Sequence, residues 1–146
     1  MDVSEIQAAL DNPDFQYRLK AISALKAYDP DTAVPILIAT LHDREFLVRS
    51  FVARGLGQQQ NAESFAALLE TSKFDDTPNV RAEAANSLSL FGKVSISHLV
   101  LSFCQDDHWL VRRSILAALE ELDCPQELVE VCTEALAGED LTVKEA

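Results

Sequence analysis

The stretch Asp106-Asp107-His108-Trp109-Leu110-Val111-Arg112-Arg113 decides the fold, because it recurs along the chain. Asp43-Arg44-Glu45-Phe46-Leu47-Val48-Arg49 and Asp75-Asp76-Thr77-Pro78-Asn79-Val80-Arg81 are two further copies. Asn12-Pro13-Asp14-Phe15-Gln16-Tyr17-Arg18 is a weaker one, and Gly138-Glu139-Asp140-Leu141-Thr142-Val143-Lys144 begins a fifth. The basic anchors Arg18, Arg49, Arg81, Arg112 and Lys144 are separated by 31, 32, 31 and 32 residues. A fixed period of this length marks a solenoid of stacked supersecondary units.

Apolar residues between the anchors follow helical spacing. Val3, Ile6, Ala9 and Leu10 open a first helix, and Asn12-Pro13 breaks it. A second helix is expected over 15–27, and a third follows Asp29-Pro30, a cap with proline in the first turn. The fourth runs over 45–56, with Gly57 as terminator. Phe65, Leu68 and Leu69 mark a fifth. Thr77-Pro78 caps a sixth, Ser95 a seventh, an eighth runs over 108–122, and Leu128, Val131, Cys132 and Ala135 face one way on a ninth. No strand pattern intervenes. The expectation is a single all-α domain, 1–146, of about four to five antiparallel helix pairs. The repeats fall at 3–28, 31–58, 62–92, 95–123 and 126–146, the last incomplete.

Aligning the second helix of each pair on its anchor predicts a buried stripe. One residue before the anchor stand Tyr17, Val48, Val80 and Val111. Three after it stand Ala21, Val52, Ala84 and Ile115, four after it Ile22, Ala53, Ala85 and Leu116, and seven after it Leu25, Leu56, Leu88 and Leu119. Six after it the residues are small: Ala24, Gly55, Ser87 and Ala118. The arginine lies inside this apolar arc, where an unpaired guanidinium is costly. The turn before each helix supplies acceptors in Asp43, Asp75, Asp76, Asp106 and Asp107. An Arg–Asp ladder of Arg18, Arg49, Arg81 and Arg112 with Asp43, Asp75 and Asp106 is therefore expected between repeats, the aspartates also capping the helices.

Three residues before the anchor stand Phe15, Phe46, Pro78 and Trp109. These rings read as a ligand platform or, the favoured reading, as plugs at the loop end of each repeat. The opposite helix face carries Leu47, Phe51, Arg54, Asn79, Glu83, Asn86, Leu110 and Arg113. A solvated face has no need of Leu47, Phe51 and Leu110. Apolar residues beside arginines fit a protein-binding surface. The competing reading covers them with a flanking segment.

The net charge is -12, from 24 acidic and 12 basic residues, which disfavours nucleic acid as partner. Residues 120–146 hold nine acids against Lys144 alone, a solvated face or a docking surface for a basic partner. No apolar run spans a membrane, and Met1-Asp2-Val3-Ser4-Glu5 starts no signal peptide, so a cytoplasmic protein is expected. Cys104, Cys124 and Cys132 match no zinc spacing. Cys104 and Cys132 read as small core residues and Cys124 as the exposed thiol. His42 reads as a helix-end residue and His98 as solvated, while His108 starts the eighth helix. Phosphate-loop, His-Glu-x-x-His and Gly-x-Ser-x-Gly motifs are missing, so no catalytic residue, metal or cofactor is assigned.

The recurring Asp-x(4,5)-Val-Arg-x-x-Ala-x-x-x-Leu pattern resembles the HEAT-like repeats over essentially the whole chain. With an aromatic three residues before the arginine, as in Asp107-His108-Trp109-Leu110-Val111-Arg112-Arg113, it looks like the phycobilisome-lyase class of these repeats. The first copy departs at Tyr17 and the third lacks the aromatic. The resemblance implies a right-handed α–α superhelix, HEAT/armadillo-like, with the anchor helices on the concave side. It implies a scaffold or adaptor that binds a partner protein. The alternative it implies is a subunit of a phycobilin lyase or a phycobilisome turnover factor, with a phycobiliprotein as partner.

At the end of the sequence, Leu141-Thr142-Val143-Lys144 opens a tenth helix with no room to continue. Leu128, Val131, Cys132 and Leu136 would then lack a mate. The expectation is a further C-terminal segment or self-association through that open edge.

Overall fold

A computed structural model describes residues 1–137, with side chains through Thr133. The described residues form nine α-helices and no strand. In order these are α1 Val3–Leu10, α2 Phe15–Ala24, α3 Pro30–Thr40, α4 Phe46–Gln58, α5 Ala62–Phe74, α6 Pro78–Ser89, α7 Ile96–Gln105, α8 Trp109–Glu121 and α9 Pro125–Ala137. Short 3-10 turns follow α2 at Leu25–Ala27 and precede α7 at Gly92–Ser95. Local chemistry fixes many ends. Asp2 and Glu5 form a capping box on α1, Asp29 caps α3 ahead of Pro30, and Asn61 with Ser64 caps α5. Gly92 takes φ +83, the left-handed conformation that lets the chain leave α6 and turn into α7.

The architecture is an all-α superhelix. The anchor helices α4, α6 and α8 pack side by side far more closely than α3, α5 and α7 do. A stack whose two layers differ in spacing must curve, and the tighter layer lies on the inside. The anchor helices therefore form the inner, concave wall. One continuous core runs between the layers. Val48, Val80 and Val111 are fully buried, as are Val52, Ala84 and Ile115, and Leu56, Leu88 and Leu119.

Tyr17 departs from this stripe. Its side chain is 50% exposed, with the Lys20 ammonium 5.3 Å from the ring centroid. At that place the phenol hydroxyl keeps its water, which burial would deny it.

Gly57 is not a terminator. It lies inside α4, buried against α6. A methyl group there would stand 2.7 Å from Cβ of Ser87, so hydrogen is the only side chain the crossing admits. Gly55 has more room, with its nearest neighbours the Leu37 methyls at 3.4 Å. Ser95 precedes α7 but makes no cap bond. Its buried hydroxyl instead donates to Gly92 O at 2.7 Å.

The cysteine assignments are reversed. Cys104 and Cys132 are exposed, and Cys124 is buried. The 3-10 turn before α7 sets that helix's rotation so that Phe103 and Ser102, not Cys104, face inward. On α9 Val131 is the inward residue beside Cys132. Asp123, at φ 54, folds the chain back and drives Cys124 into the core, where its thiol donates to Leu119 O at 3.1 Å. His98 is half-buried, edge-on to the Phe65 ring at 5.5 Å. The tenth helix at 141–146, Lys144 and the side chain of Leu136 lie outside the described residues.

The two glycines of α4 give a paired expectation. Gly57→Ala should lower the melting temperature, because forced overpacking costs about 1–3 kcal/mol. Gly55→Ala should leave it unchanged or raise it, since alanine is the better helix former by up to about 1 kcal/mol. Thermal unfolding by circular dichroism distinguishes the two.

Candidate functional site

The anchor arginines are the most constrained polar groups in the inner layer. Arg18 donates from Nε and Nη2 to the two carboxylate oxygens of Asp43, at 2.8 and 3.1 Å. Arg49 reaches Asp75 from Nε at 3.0 Å, and its Nη2 reaches Asp76 at 3.3 Å and Thr77 Oγ1 at 2.9 Å. Arg81 Nε meets Asp106 at 2.8 Å. Each carboxylate belongs to the turn of the next repeat. The same arginines also turn back on their own repeat, Nη1 donating to the backbone oxygens of Asn12, Asp43 and Asp75, each at 2.8 Å. Every rung thus satisfies the guanidinium on two sides, which its burial requires.

The aspartates do not cap the helices directly. The N-cap residues of α4, α6 and α8 are Glu45, Thr77 and His108. Asp43, Asp75 and Asp106 accept instead from the backbone N–H of those N-cap residues, at 2.9, 2.9 and 3.0 Å, and so shape the turn one residue earlier. Thr77 makes no cap bond, because its hydroxyl accepts from Arg49. Only His108 of the three caps with its side chain, Nδ1 accepting from Leu110 N at 3.1 Å. Asn12 holds the corresponding place in the first repeat and accepts from Asp14 N at 2.8 Å. Arg112 is buried, its guanidinium 4.0 Å from the Phe103 ring centroid. By register the acceptor turn for this rung falls within 138–146, outside the described residues.

The other face of the anchor helices is open. Leu47 is 39% exposed and Trp109 41%. Phe51 and Leu110 are half-buried and pack against the core, so they are shared between face and interior. Phe46 and Trp109 do not plug the loop ends, because both are exposed, whereas Phe15 is half-buried. The expectation of aromatic plugs fails for those two. The remaining candidates connect the helices. Arg54 on α4 donates from Nε to Glu83 on α6 at 3.0 Å, while its guanidinium lies 5.2 Å from the Phe51 ring centroid. Arg113 lies 6.0 Å from the Trp109 ring centroid on α8. Asn79 and Asn86 are exposed on α6 between them. A shallow groove of about 320 Å³ crosses all three helices, lined by Arg54, Glu83, Asn86, Leu90, Ala117 and Glu121. Leu90, nine residues after its anchor, is on the face the sequence marks, and Glu121 holds the same place in the next repeat.

Among the described residues no three of His, Cys, Asp and Glu stand together as a metal-binding group. His42, His98 and His108 lie on different elements, the end of α3, the body of α7 and the start of α8. Cys124 is held away from reactivity by its surroundings. Burial, then the negative charges of Glu127 and Asp123, push its thiol up and away from the reactive thiolate.

Fold and face together define an α-solenoid of helix pairs whose inner layer is locked by charge at one edge and open on one side. Residues 4–89 match the family HEAT repeats, and the chain belongs to that family. It is 35% identical over 118 residues to a deoxyhypusine hydroxylase of Neurospora crassa, covering 75% of this chain and 36% of that protein. It is 35% identical over 107 residues to deoxyhypusine hydroxylase-B of Oryza sativa subsp. japonica, covering 73% of this chain and 35% of that protein. The chain thus spans about a third of the length of these relatives. The complex of CpcE and CpcF of phycocyanin lyase from Nostoc sp. PCC7120 shares the fold, with a TM-score of 0.71 and 23% identity over 99% of this chain and 96% of that one.

Two outcomes follow from these placements. Arg81→Ala should destabilise the protein far more than Arg113→Ala. Breaking a buried pair costs about 3–5 kcal/mol, and most surface changes stay within about 0.5. Equal losses in denaturant titration would show that the rung carries no special weight. Titration of the native protein with a thiol reagent at neutral pH should modify Cys104 and Cys132 quickly and Cys124 only on unfolding.

Proposed function

We propose that this chain is a binding scaffold that holds a partner protein on the inner face of its superhelix. The carrying observation is the open row on α4 and α8, where Leu47 and Trp109 are exposed beside Arg54 and Arg113. Exposed apolar and aromatic side chains next to arginines are the composition of interface centres. The ladder supports the reading because it holds the face still: α4 and α8 are fixed against α6 before any partner arrives, which lowers the ordering cost of binding. The roles assigned to Leu47, Phe51, Arg54, Asn79, Glu83, Asn86, Leu110 and Arg113 belong to this proposal. So does a cytoplasmic setting; among the described residues no helix is long and apolar enough to cross a membrane. The proposal carries no hydroxylation step, since the stretch shared with the two hydroxylases is a third of their length and brings no cluster of ligating side chains together among the described residues.

A second reading takes the chain as a subunit of a phycobilin lyase or a phycobilisome turnover factor, with a phycobiliprotein as its partner. The near-complete coverage of a lyase chain by this fold favours it. Incubation with a bilin and a phycobiliprotein subunit gives a coloured covalent adduct under this reading and none under the first.

The scaffold reading is tested by Leu47→Ser combined with Trp109→Ser. Both side chains are open enough to be replaced without emptying the core. Proteins captured by the wild-type chain from its native cell extract should be lost by the double variant, while its melting temperature and helical signal stay near wild type. Undiminished capture would move the site off this face.

A further inference from the structure

Resting on that reading, we infer that the inner face selects an acidic amphipathic segment of its partner, with carboxylates flanking an apolar centre. The first observation is a segregation of charge. The sequence holds twice as many acids as bases, 24 against 12. On the outer helices α1, α3, α5, α7 and α9 this excess is extreme: Lys73 stands alone against Glu5, Asp31, Glu63, Glu70 and the three glutamates of α9. The inner helices are different. Beyond the ladder arginines they carry Lys20, Arg54 and Arg113 against Glu83, Glu120 and Glu121. α2 and α4 contain no acid at all.

The second observation is how the open cations are held. Arg54 lies over Phe51 and Arg113 over Trp109. A guanidinium laid on a ring loses little further freedom when its edge takes a carboxylate, and that planar edge matches two carboxylate oxygens. Glu83 uses only Nε of Arg54 in its 3.0 Å bond, and the Arg54 side chain stays 55% exposed. The two pairs stand on either side of α6, whose open face carries the uncharged Asn79 and Asn86 and one acid, Glu83, already held by Arg54. Packed helices lie roughly 8–10 Å apart, so α4 and α8 are separated by about 16–20 Å. A bound helix of about 12 residues covers that span. It would put apolar side chains against Leu47, Phe51 and Leu110, with a carboxylate near each arginine. The acids of α9 lie beyond α8 and are screened over about 8 Å at physiological salt.

The test uses the whole chain and three labelled synthetic helices of about 15 residues. They share one apolar stripe and carry Glu, Gln or Lys at both ends. Binding is read by anisotropy of the label, and its place by the emission of Trp109, the single tryptophan. The Glu peptide should bind saturably with a shift of Trp109 emission. Arg54→Gln or Arg113→Gln should each weaken it roughly tenfold, as should a rise to about 0.5 M salt, with melting temperatures unchanged. Equal binding of the Gln peptide overturns the acidic preference and leaves the scaffold reading standing. Tighter binding of the Lys peptide, indifference to both arginine changes, binding of none of the three, or preference for a single-stranded oligonucleotide also overturns it. Retention of the Glu peptide by the Leu47→Ser, Trp109→Ser variant, read by anisotropy, would count against the face itself.

Discussion

The rung between an anchor arginine and the aspartate of the next repeat is the constraint on which the rest depends. A guanidinium as buried as that of Arg18 is tolerated only when its donors are matched. Asp43 supplies two acceptors from across the repeat boundary, and the Asn12 and Pro13 carbonyls supply more from the near side. The same carboxylate holds the N–H of Glu45 and sets the turn into α4. One aspartate therefore joins two repeats and starts its own helix. Neither repeat satisfies its polar groups alone, so stacking is enforced by electrostatics as well as by apolar burial.

Arginine serves two opposed purposes on the same helices. Arg112 and Arg113 are neighbours in sequence, separated by 100° around α8. The first is buried against Phe103, the second lies exposed over Trp109. Arg49 and Arg54 divide in the same way on α4, one turned into Asp75 and the other toward Glu83 and open space. The inner arginines anchor the backbone, and the outer ones stay open on the same helices.

Much of the fold was legible because the repeats place equivalent residues in equivalent surroundings. Val48, Val80 and Val111 share one environment, and so do Leu25, Leu56, Leu88 and Leu119. Four copies of a pattern average out the accidents of any one. The failures occur where the register is local. Cys104 reads as a core residue from its helix spacing, yet on α7, entered through the 3-10 turn at Gly92–Ser95, the inward places go to Ser102 and Phe103. Cys124 beside Pro125 looks like a surface turn, and only the left-handed backbone of Asp123 shows why it points inward. Gly57 resembled a helix stop because its true cause, Ser87 in the neighbouring helix, is thirty residues away. The open face was partly readable. Leu90 falls at the same offset from its anchor as Glu121 from the next, so the period marks the place, while the change from Leu to Glu there shows only in the groove they line.

The two ends of the anchor helices are tied by bonds of different kinds. At their N-terminal ends the ties are charged: Arg18 to Asp43, Arg49 to Asp75, Arg81 to Asp106. At their C-terminal ends the ties are neutral amides: Gln59 donates to Leu25 O and Tyr28 O, and Gln60 to Leu90 O. Charge-assisted bonds are roughly twice as strong as neutral ones. The polar ties along the N-terminal edge of the array are thus the stronger set. The C-terminal edge is held by contact as well, since Gly57 in the last turn of α4 packs directly on Ser87 in the last turn of α6. The wall thus resists separation by charge along one edge and by close packing along the other, so salt and core substitutions act on opposite ends of the same helices.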